Sequence, residues 1–292
     1  MLDKKHIKYF KKILPVDFVL SEEGDCWAYG YDNSKMHVMP ECVLFADSKT
    51  QIQDIARYCF ENTIPITTRG RGTGNTGGSV PIENSVVLSL EKMNKIIDID
   101  ISNRLAVVQP GVINKTLQDE LQKENFFWGP DPSSQDYSTI GGNIANNSAG
   151  PRAIKYGTPR DNILGLEFIS GTGEIHKTGV KTSKGVVGLD LTRLFVGSEG
   201  VLGILSEATL KILPLNNSVK TFEITFETLK SASDMIIMLM TQPITPYKLE
   251  FVDEQSVKLI NSIKKNHFEI KTKSAVLLEI DGDVDFIDIQ SK

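Results

Sequence analysis

The sequence predicts an α+β protein: a strand-rich domain followed by a second segment of α/β pattern. Three observations predict it. Residues 43–67 alternate strand, helix and strand; two glycine-rich segments interrupt the strand-like runs that follow; and a Pro/Asn cluster around Pro214 precedes a second strand–helix alternation. The expected divisions are an N-terminal helical segment over 1–35, a main domain over 36–215 and a partial domain over 216–292.

The first segment, "MLDKKHIKYFKKIL", places Ile7, Phe10 and Leu14 on one helical face and its lysines elsewhere, an amphipathic helix without a signal-peptide apolar core or cleavage site. Next come a strand at Val43–Ala46, a helix with Ile52, Ile55, Ala56 and Cys59 inward behind an N-cap at Ser48, and a strand at Ile64–Thr67, together a βαβ unit. "SVVLSLEKM" and "RLAVVQPGV" read as strands, and "NKTLQDELQKEN" as a short helix on Leu117 and Leu121. From Gly129 to Gly150 the chain is dense in Gly, Pro, Ser and Asn and reads as irregular, a length that is uncommon in a compact domain unless it binds something. "ILGLEFIS", "GEIHKTG" and "GILSEATLKIL" return to strand patterning. Beyond "KILPLNNSV" lie a strand at "KTFEITFET", a helix near Leu229–Met240, a strand at "YKLEFVD", a helix near Gln255–Ile263 and a strand at "SAVLLEID".

Composition removes several classes of function. A formal charge of −5 and a pI near 5.5 leave no broad basic surface for a nucleic-acid backbone. Cys26, Cys42 and Cys59 lie far apart, with no CxxC spacing and no histidine at metal-ligand spacing, so they read as reduced thiols of a cytosolic protein and supply no iron–sulfur ligand set. The longest apolar runs fall well short of the roughly 20 residues that a membrane span requires.

The segment "TTRGRGTGNTGGSVP", Thr67 to Pro81, carries five glycines. Gly72, Gly74 and Gly77 match GxGxxG, but a dinucleotide-binding Rossmann loop opens a helix, whereas this one runs through "GGSVP" into the β-branched "SVVLSL". No Lys followed by Ser or Thr ends it, so it is not a P-loop either. Glycines still allow close backbone approach and positive φ, so successive N–H groups can converge on an anion such as a pyrophosphate. Arg69 and Arg71 could add charged hydrogen bonds, and Thr73, Asn75 and Thr76 neutral ones. A second wall of small residues, Gly141, Gly142 and Ala145 to Gly150, suits a flat ring laid against it, so the pair of loops points to a bulky nucleotide cofactor.

At these residues the chain resembles a known family. "RGRGTGNTGGSVP", "TIGGNIANNSAG", "KYGTPRDNILGLE" and "LTRLFVGSEGVLGILSEATLKILP" are similar to the signature blocks of FAD-linked oxidases with a p-cresol methylhydroxylase or vanillyl alcohol oxidase type of FAD-binding domain, nearest to the glycolate oxidase flavin subunit and D-lactate dehydrogenase branch. The resemblance runs from about Met39 to Pro214 and continues more weakly through "YKLEFVDEQSV" and "LLEIDGD". It implies that Gly70, Arg71, Gly72, Thr73, Gly74 and Asn75 hold the FAD pyrophosphate, with Arg69 beside them. It implies further that Asp131, Ser134, Gly141, Gly142 and Ala145 border the isoalloxazine and ribityl regions, and that Glu199, Gly203 and Ile204 line the nucleotide end. Glu199 could instead cap a turn and Ile204 could be plain core. Neither loop contains the His or Cys through which some members attach the cofactor, so non-covalent FAD is expected.

The implied reaction is oxidation of a 2-hydroxy acid such as D-lactate or glycolate by hydride transfer, with reoxidation by a quinone, cytochrome or partner protein. The family's base and its metal- or carboxylate-binding groups lie in a later block resembling HxxxDGNxH, which has no counterpart here, so the catalytic residues are unassigned and no metal site is expected. His6, His37, His176 and His267 are isolated and read as surface or loop residues, while Arg152, Tyr156 and Arg160 are candidates for reaching cofactor or substrate. The resemblance implies a two-subdomain FAD-binding domain followed by an incomplete α/β cap domain, because the chain stops after what resembles the first part of the cap. Three accounts follow: a truncated or interrupted gene, a second polypeptide completing the cap, or a shortened flavoprotein with another role. Rival readings are an FAD-binding fragment or subunit without turnover, and a nucleotide-sugar reductase using NADPH. The expected location is cytoplasmic, with peripheral attachment to the inner face of the membrane as the alternative.

Overall fold

The computed structural model describes residues 3–182, 184–216, 218–264 and 267–290; Asn217 of the Pro/Asn cluster lies outside the described residues. The chain forms two compact units. Met1–Trp128, Pro132–Ser148 and Thr158–Leu213 make the first, and Gly129–Asp131, Ala149–Gly157 and Pro214–Lys292 the second.

The first unit begins with α1 (Lys4–Ile13), capped by Asp3, whose side chain accepts from Lys5 N. A 3-10 turn (Val16–Phe18), β1 (Val19–Leu20) and α2 (Glu23–Trp27) lead to β2 (Cys42–Phe45). In α3 (Lys49–Glu61) the residues at helical spacing, Ile52, Ile55, Ala56 and Cys59, are all buried, and Ser48 caps the helix through Gln51 N. The rings of Tyr9 and Tyr58 stack at 3.6 Å, joining α1 to α3, and His6 Nδ1 lies 2.9 Å from the Tyr58 hydroxyl. His6 is therefore a buried helical residue, not the surface or loop residue its isolation in the sequence suggests.

With β3 (Ile66–Arg69) and β4 (Val86–Ser89) the first sheet takes the order β1-β2-β4-β3, β2 and β3 each running parallel to β4. The two strands of the expected βαβ unit thus flank β4 rather than each other. Two parallel strands need a long crossover between them, and between β3 and β4 residues 70–85 supply it without a helix. This accounts for the length of the glycine-rich loop.

The second sheet follows. In chain order come β5 (Ile96–Asp100), β6 (Leu105–Val108), α4 (Asn114–Lys123), β7 (Phe126–Trp128) and α5 (Ile140–Ala145). After α6 (Ala153–Tyr156), which belongs to the second unit, a 3-10 turn (Pro159–Asp161) leads to β8 (Ile163–Ile169), β9 (Ile175–Gly179), α7 (Leu191–Phe195) and β10 (Ile204–Pro214). The sheet order is β5-β6-β10-β8-β9, with β7 also paired to β10. Leu117 and Leu121 of α4, Trp128, Ile140 and Ile144 of α5 and Phe195 of α7 form one buried cluster over it. Residues 129–150, expected to be irregular, therefore contain a helix, α5, whose two glycines are offset by an N-cap at Thr139.

In the second unit, β11 (Ser218–Phe226), α8 (Leu229–Met240), β12 (Lys248–Val252), α9 (Glu254–Ile263), β13 (Ser274–Gly282) and α10 (Val284–Gln290) build a sheet of order β11-β13-β12. Both outer strands run antiparallel to β13, so the expected βαβ-like alternation closes around a central antiparallel strand. Buried Asp281 of β13 accepts from the Tyr156 hydroxyl at 2.5 Å and from Asn216 Nδ2 at 2.5 Å, and pairs with Lys155.

Candidate cofactor site

The glycine loop leaves β3 at Arg69. That side chain is buried, and its guanidinium is directed to main-chain carbonyls: Nη1 donates to Tyr31 O at 2.7 Å and Nη2 to Ala28 O at 3.5 Å. Nη1 also reaches the Ser79 hydroxyl at 3.4 Å. Burial pulls the Arg69 pKa down from its usual value, and the Glu91 carboxylate works in the opposite direction. Arg71 is half exposed, with Nε 3.7 Å from Glu91 Oε1.

Two glycines of the loop are required by geometry. Gly72 has φ +64°, and a Cβ there would overlap the Arg69 guanidinium. A Cβ on Gly70 would overlap Thr139 Oγ1. Gly74 differs: the nearest atom to a Cβ there is Asp32 Oδ2 at 3.9 Å, so the fold leaves room that a backbone-seeking ligand could use.

Thr139 brings the second loop to the first. Its hydroxyl accepts from Gly142 N at 3.1 Å and caps α5. Gly141 N donates to Pro110 O at 2.8 Å, and a Cβ at Gly141 would lie 2.6 Å from Pro110 Cβ, so that glycine permits close packing. Ser134 O accepts from Tyr137 N and Ser138 N. Asn143 accepts at Oδ1 from Asn114 Nδ2 at 2.9 Å and donates from Nδ2 to Ser138 Oγ at 3.1 Å, which holds the loop from beneath.

The third segment, Val196–Gly203, lies alongside. Gly197 N donates to Ile144 O and Glu199 N to Ala145 O, each at 2.9 Å. Glu199, at φ +53°, sends Oε2 to 3.4 Å from the Cβ position of Gly78. Ser198 Oγ is buried with no hydrogen-bond partner among the described residues, an orphan of the kind a nucleotide could satisfy. Gly203 packs against Phe168 and Ile169, and Ile204 is buried in the core cluster that includes Ile52 and Ile55.

Three loops of the first unit thus converge, carrying Gly70 to Asn75, Gly141 to Ala145 and Glu199. Asp131 belongs to the second unit, where Oδ1 accepts from Arg152 N at 3.0 Å and Oδ2 lies 3.3 Å from Arg152 Nε. Burial raises the Asp131 pKa, against the pull of Arg152. Of the remaining candidates, Arg152 lies over the Tyr247 ring, Tyr156 is bonded to Asp281, and Arg160 donates to Val196 O at 3.0 Å. Sequence reasoning passed over Thr139 and Ser198. A threonine directly before a helix start is an N-cap signal that marks the first; nothing in the sequence marks the second.

Residues 40–179 match a family profile described as FAD binding domain. Over that segment the chain is similar to FAD-binding domains. The glycine loop and the Thr139 loop both fall inside the matched segment, and the Glu199 loop lies beyond it. The chain is 40% identical over 255 residues to the glycolate oxidase subunit GlcD of Bacillus subtilis (strain 168), covering 87% of this chain and 54% of that protein. It is 35% identical over 253 residues to a D-lactate dehydrogenase of Anaerostipes hadrus, covering 86% and 53%. The chain therefore spans about half the length of the curated relatives it matches. In fold it superposes on p-cresol methylhydroxylase with substrate bound at a TM-score of 0.82 and 21% identity, covering 98% of this chain and 62% of that one. With an alkyldihydroxyacetonephosphate synthase the values are 0.85, 20%, 99% and 57%. The fold of the chain is of the p-cresol methylhydroxylase type.

No group of three or more His, Cys, Asp or Glu among the described residues is placed to hold a metal. No helix among them is long and apolar enough to cross a membrane.

Proposed function

We propose that this chain holds FAD non-covalently in the glycine-loop site and serves as the flavin-bearing part of an oxidoreductase for a 2-hydroxy acid, D-lactate or glycolate. The observation that carries the reading is the meeting of Gly70 with Thr139, which sets an open glycine backbone beside a second loop of small residues. The chemistry FAD supplies is acceptance of a hydride from the hydroxyl-bearing carbon of the substrate. The backbone N–H groups of Gly70 to Asn75 bind the pyrophosphate, and the buried Arg69 holds that loop to residues 28–31 rather than touching phosphate itself. Gly141, Gly142 and Ala145 give a wall without long side chains, Ser134 stands on the same loop, and Glu199 and the unpartnered Ser198 Oγ would take the nucleotide end.

A quinone, cytochrome or partner protein would serve as the electron acceptor. The likeness to about half of each relative supports a second polypeptide, or further residues of the same protein, as the source of the base and the carboxylate grip. The test is the visible spectrum of the purified chain before and after anaerobic D-lactate or glycolate. A flavin band that persists fits a flavin-bearing part whose catalytic groups are supplied elsewhere. A band that bleaches places those groups in this chain, and the absence of any band after reconstitution with FAD overturns the reading.

A further inference from the structure

Gly30–Val38 lies before the segment matched as FAD-binding domain and folds back on itself. Val38 N donates to Gly30 O at 3.0 Å, and Tyr31 bridges His37 in antiparallel fashion. Asp32 shapes the tip: its Oδ1 accepts from Ser34 N at 2.9 Å, its carbonyl accepts from Lys35 N at 3.2 Å, and Lys35 takes φ +67°.

The tip is laid along the glycine loop. Asn33 N donates to Gly74 O at 2.9 Å, and Asn33 Nδ2 to Asn75 Oδ1 at 2.7 Å. Arg69 Nη1 reaches back to Tyr31 O at 2.7 Å, and a Cβ on Gly77 would overlap Met36 Cε. Asp32 Oδ2 is buried, without a hydrogen-bond partner among the described residues, and lies 3.9 Å from the Cβ position of Gly74. A loop with so many glycines has more backbone freedom to lose on ordering than any other composition of its length. Bonds that order it beforehand remove that loss from the binding step.

We infer that the Gly30–Val38 turn is a positioning element for the cofactor loop, acting through Asn33 on Gly74 and Asn75. The inference rests on the FAD reading above. Asn33 acts through its neighbours and is not a catalytic residue. Its side chain fixes Asn75, and its backbone fixes the carbonyl of Gly74, so that the loop N–H groups are already turned toward the anion.

The test combines FAD titration with hydrogen exchange on the FAD-free chain. Asn33→Ala should weaken FAD binding about fivefold, the effect of one lost hydrogen bond. In an Asn75→Ala background the same change should have little further effect, because its partner is gone. Exchange in Asn33→Ala should quicken at the amides of residues 72–77 and stay as in the wild type over both sheets, which a general loss of stability would not do. Unchanged FAD affinity in Asn33→Ala, or an equal loss in both backgrounds, overturns the inference. A wild-type chain that takes up no FAD sinks the functional reading alone: quickened exchange confined to the loop would then still support the positioning role, and unchanged exchange would end it.

Discussion

The Thr139 hydroxyl occupies the space that a side chain at Gly70 would need. The same hydroxyl caps α5 through Gly142 N at 3.1 Å, so one oxygen both starts a helix and sets how closely two loops approach. Gly70→Ala should push that hydroxyl out of its cap and destabilise the chain by about 1 kcal/mol, the usual worth of an N-cap. Thr139→Ala should cost about the same. The double variant should be less destabilised than the two single losses added, since the clash disappears with the hydroxyl. Urea midpoints of the three variants check this; strict additivity would mean that the two residues do not act on one another.

Gly74 sets the opposite case. Only Asp32 Oδ2 stands near its Cβ position, at ordinary contact distance. Gly74→Val should therefore leave the fold intact while its branched side chain fills the space that the loop leaves open at Gly74. The expected result is a wild-type circular dichroism spectrum with no FAD retained through gel filtration. Full retention of FAD would remove Gly74 from the pyrophosphate site.

What was legible in the sequence follows from which forces are local. The burial of Ile52, Ile55, Ala56 and Cys59 with Ser48 as cap could be read from spacing, because amphipathic period and capping are short-range signals. β5, with charged Asp98 and Asp100, and the three-residue β7 could not, because their pairing is decided by partners distant in sequence. α5 was hidden for a related reason. Gly141 and Gly142 argue against a helix locally, and it is the Thr139 cap and the contact with Pro110 that hold them. At the site, the composition of the glycine loop announced an anion cradle. That Arg69 is turned to carbonyls of residues 28–31, and that Asn33 grips Asn75, depends on tertiary contacts that no residue pattern carries.

The cysteines give a test of core integrity. Cys26, Cys42 and Cys59 are free and buried, and burial raises the pKa of each, that of Cys59 to about 12. The thiolate is the reactive form, so the native chain should resist a thiol-specific disulfide reagent at pH 8. All three thiols should react promptly after unfolding in urea. Prompt reaction of one equivalent in the native chain would show that the core opens locally without unfolding.

Glu167 of β8 carries the last expectation. It is 4% exposed, and it accepts from Ser206 Oγ at 3.0 Å while Lys49 and Lys177 each approach Oε2 at 3.2 Å. Burial alone raises its pKa, but the bonds from Lys177, Ser206 and Lys49 together outweigh it, and the net shift is downward. A carboxylate held below its unfolded pKa of about 4.3 contributes stability above that pH and loses the contribution as pH falls through the folded value. Lys49, at the start of α3, thereby ties that helix to the second sheet. Both lysines are well exposed, so screening keeps the charge contribution modest. Glu167→Gln should cost about 1–2 kcal/mol at pH 7, by loss of charged hydrogen bonds in a buried place. The gap between the variant and the wild type should narrow steadily below about pH 4.3, where the wild-type carboxylate itself takes up a proton. Urea midpoints for both chains at pH 7 and pH 3.5 measure it. A gap of constant size would assign the loss to packing at Glu167 rather than to its charge.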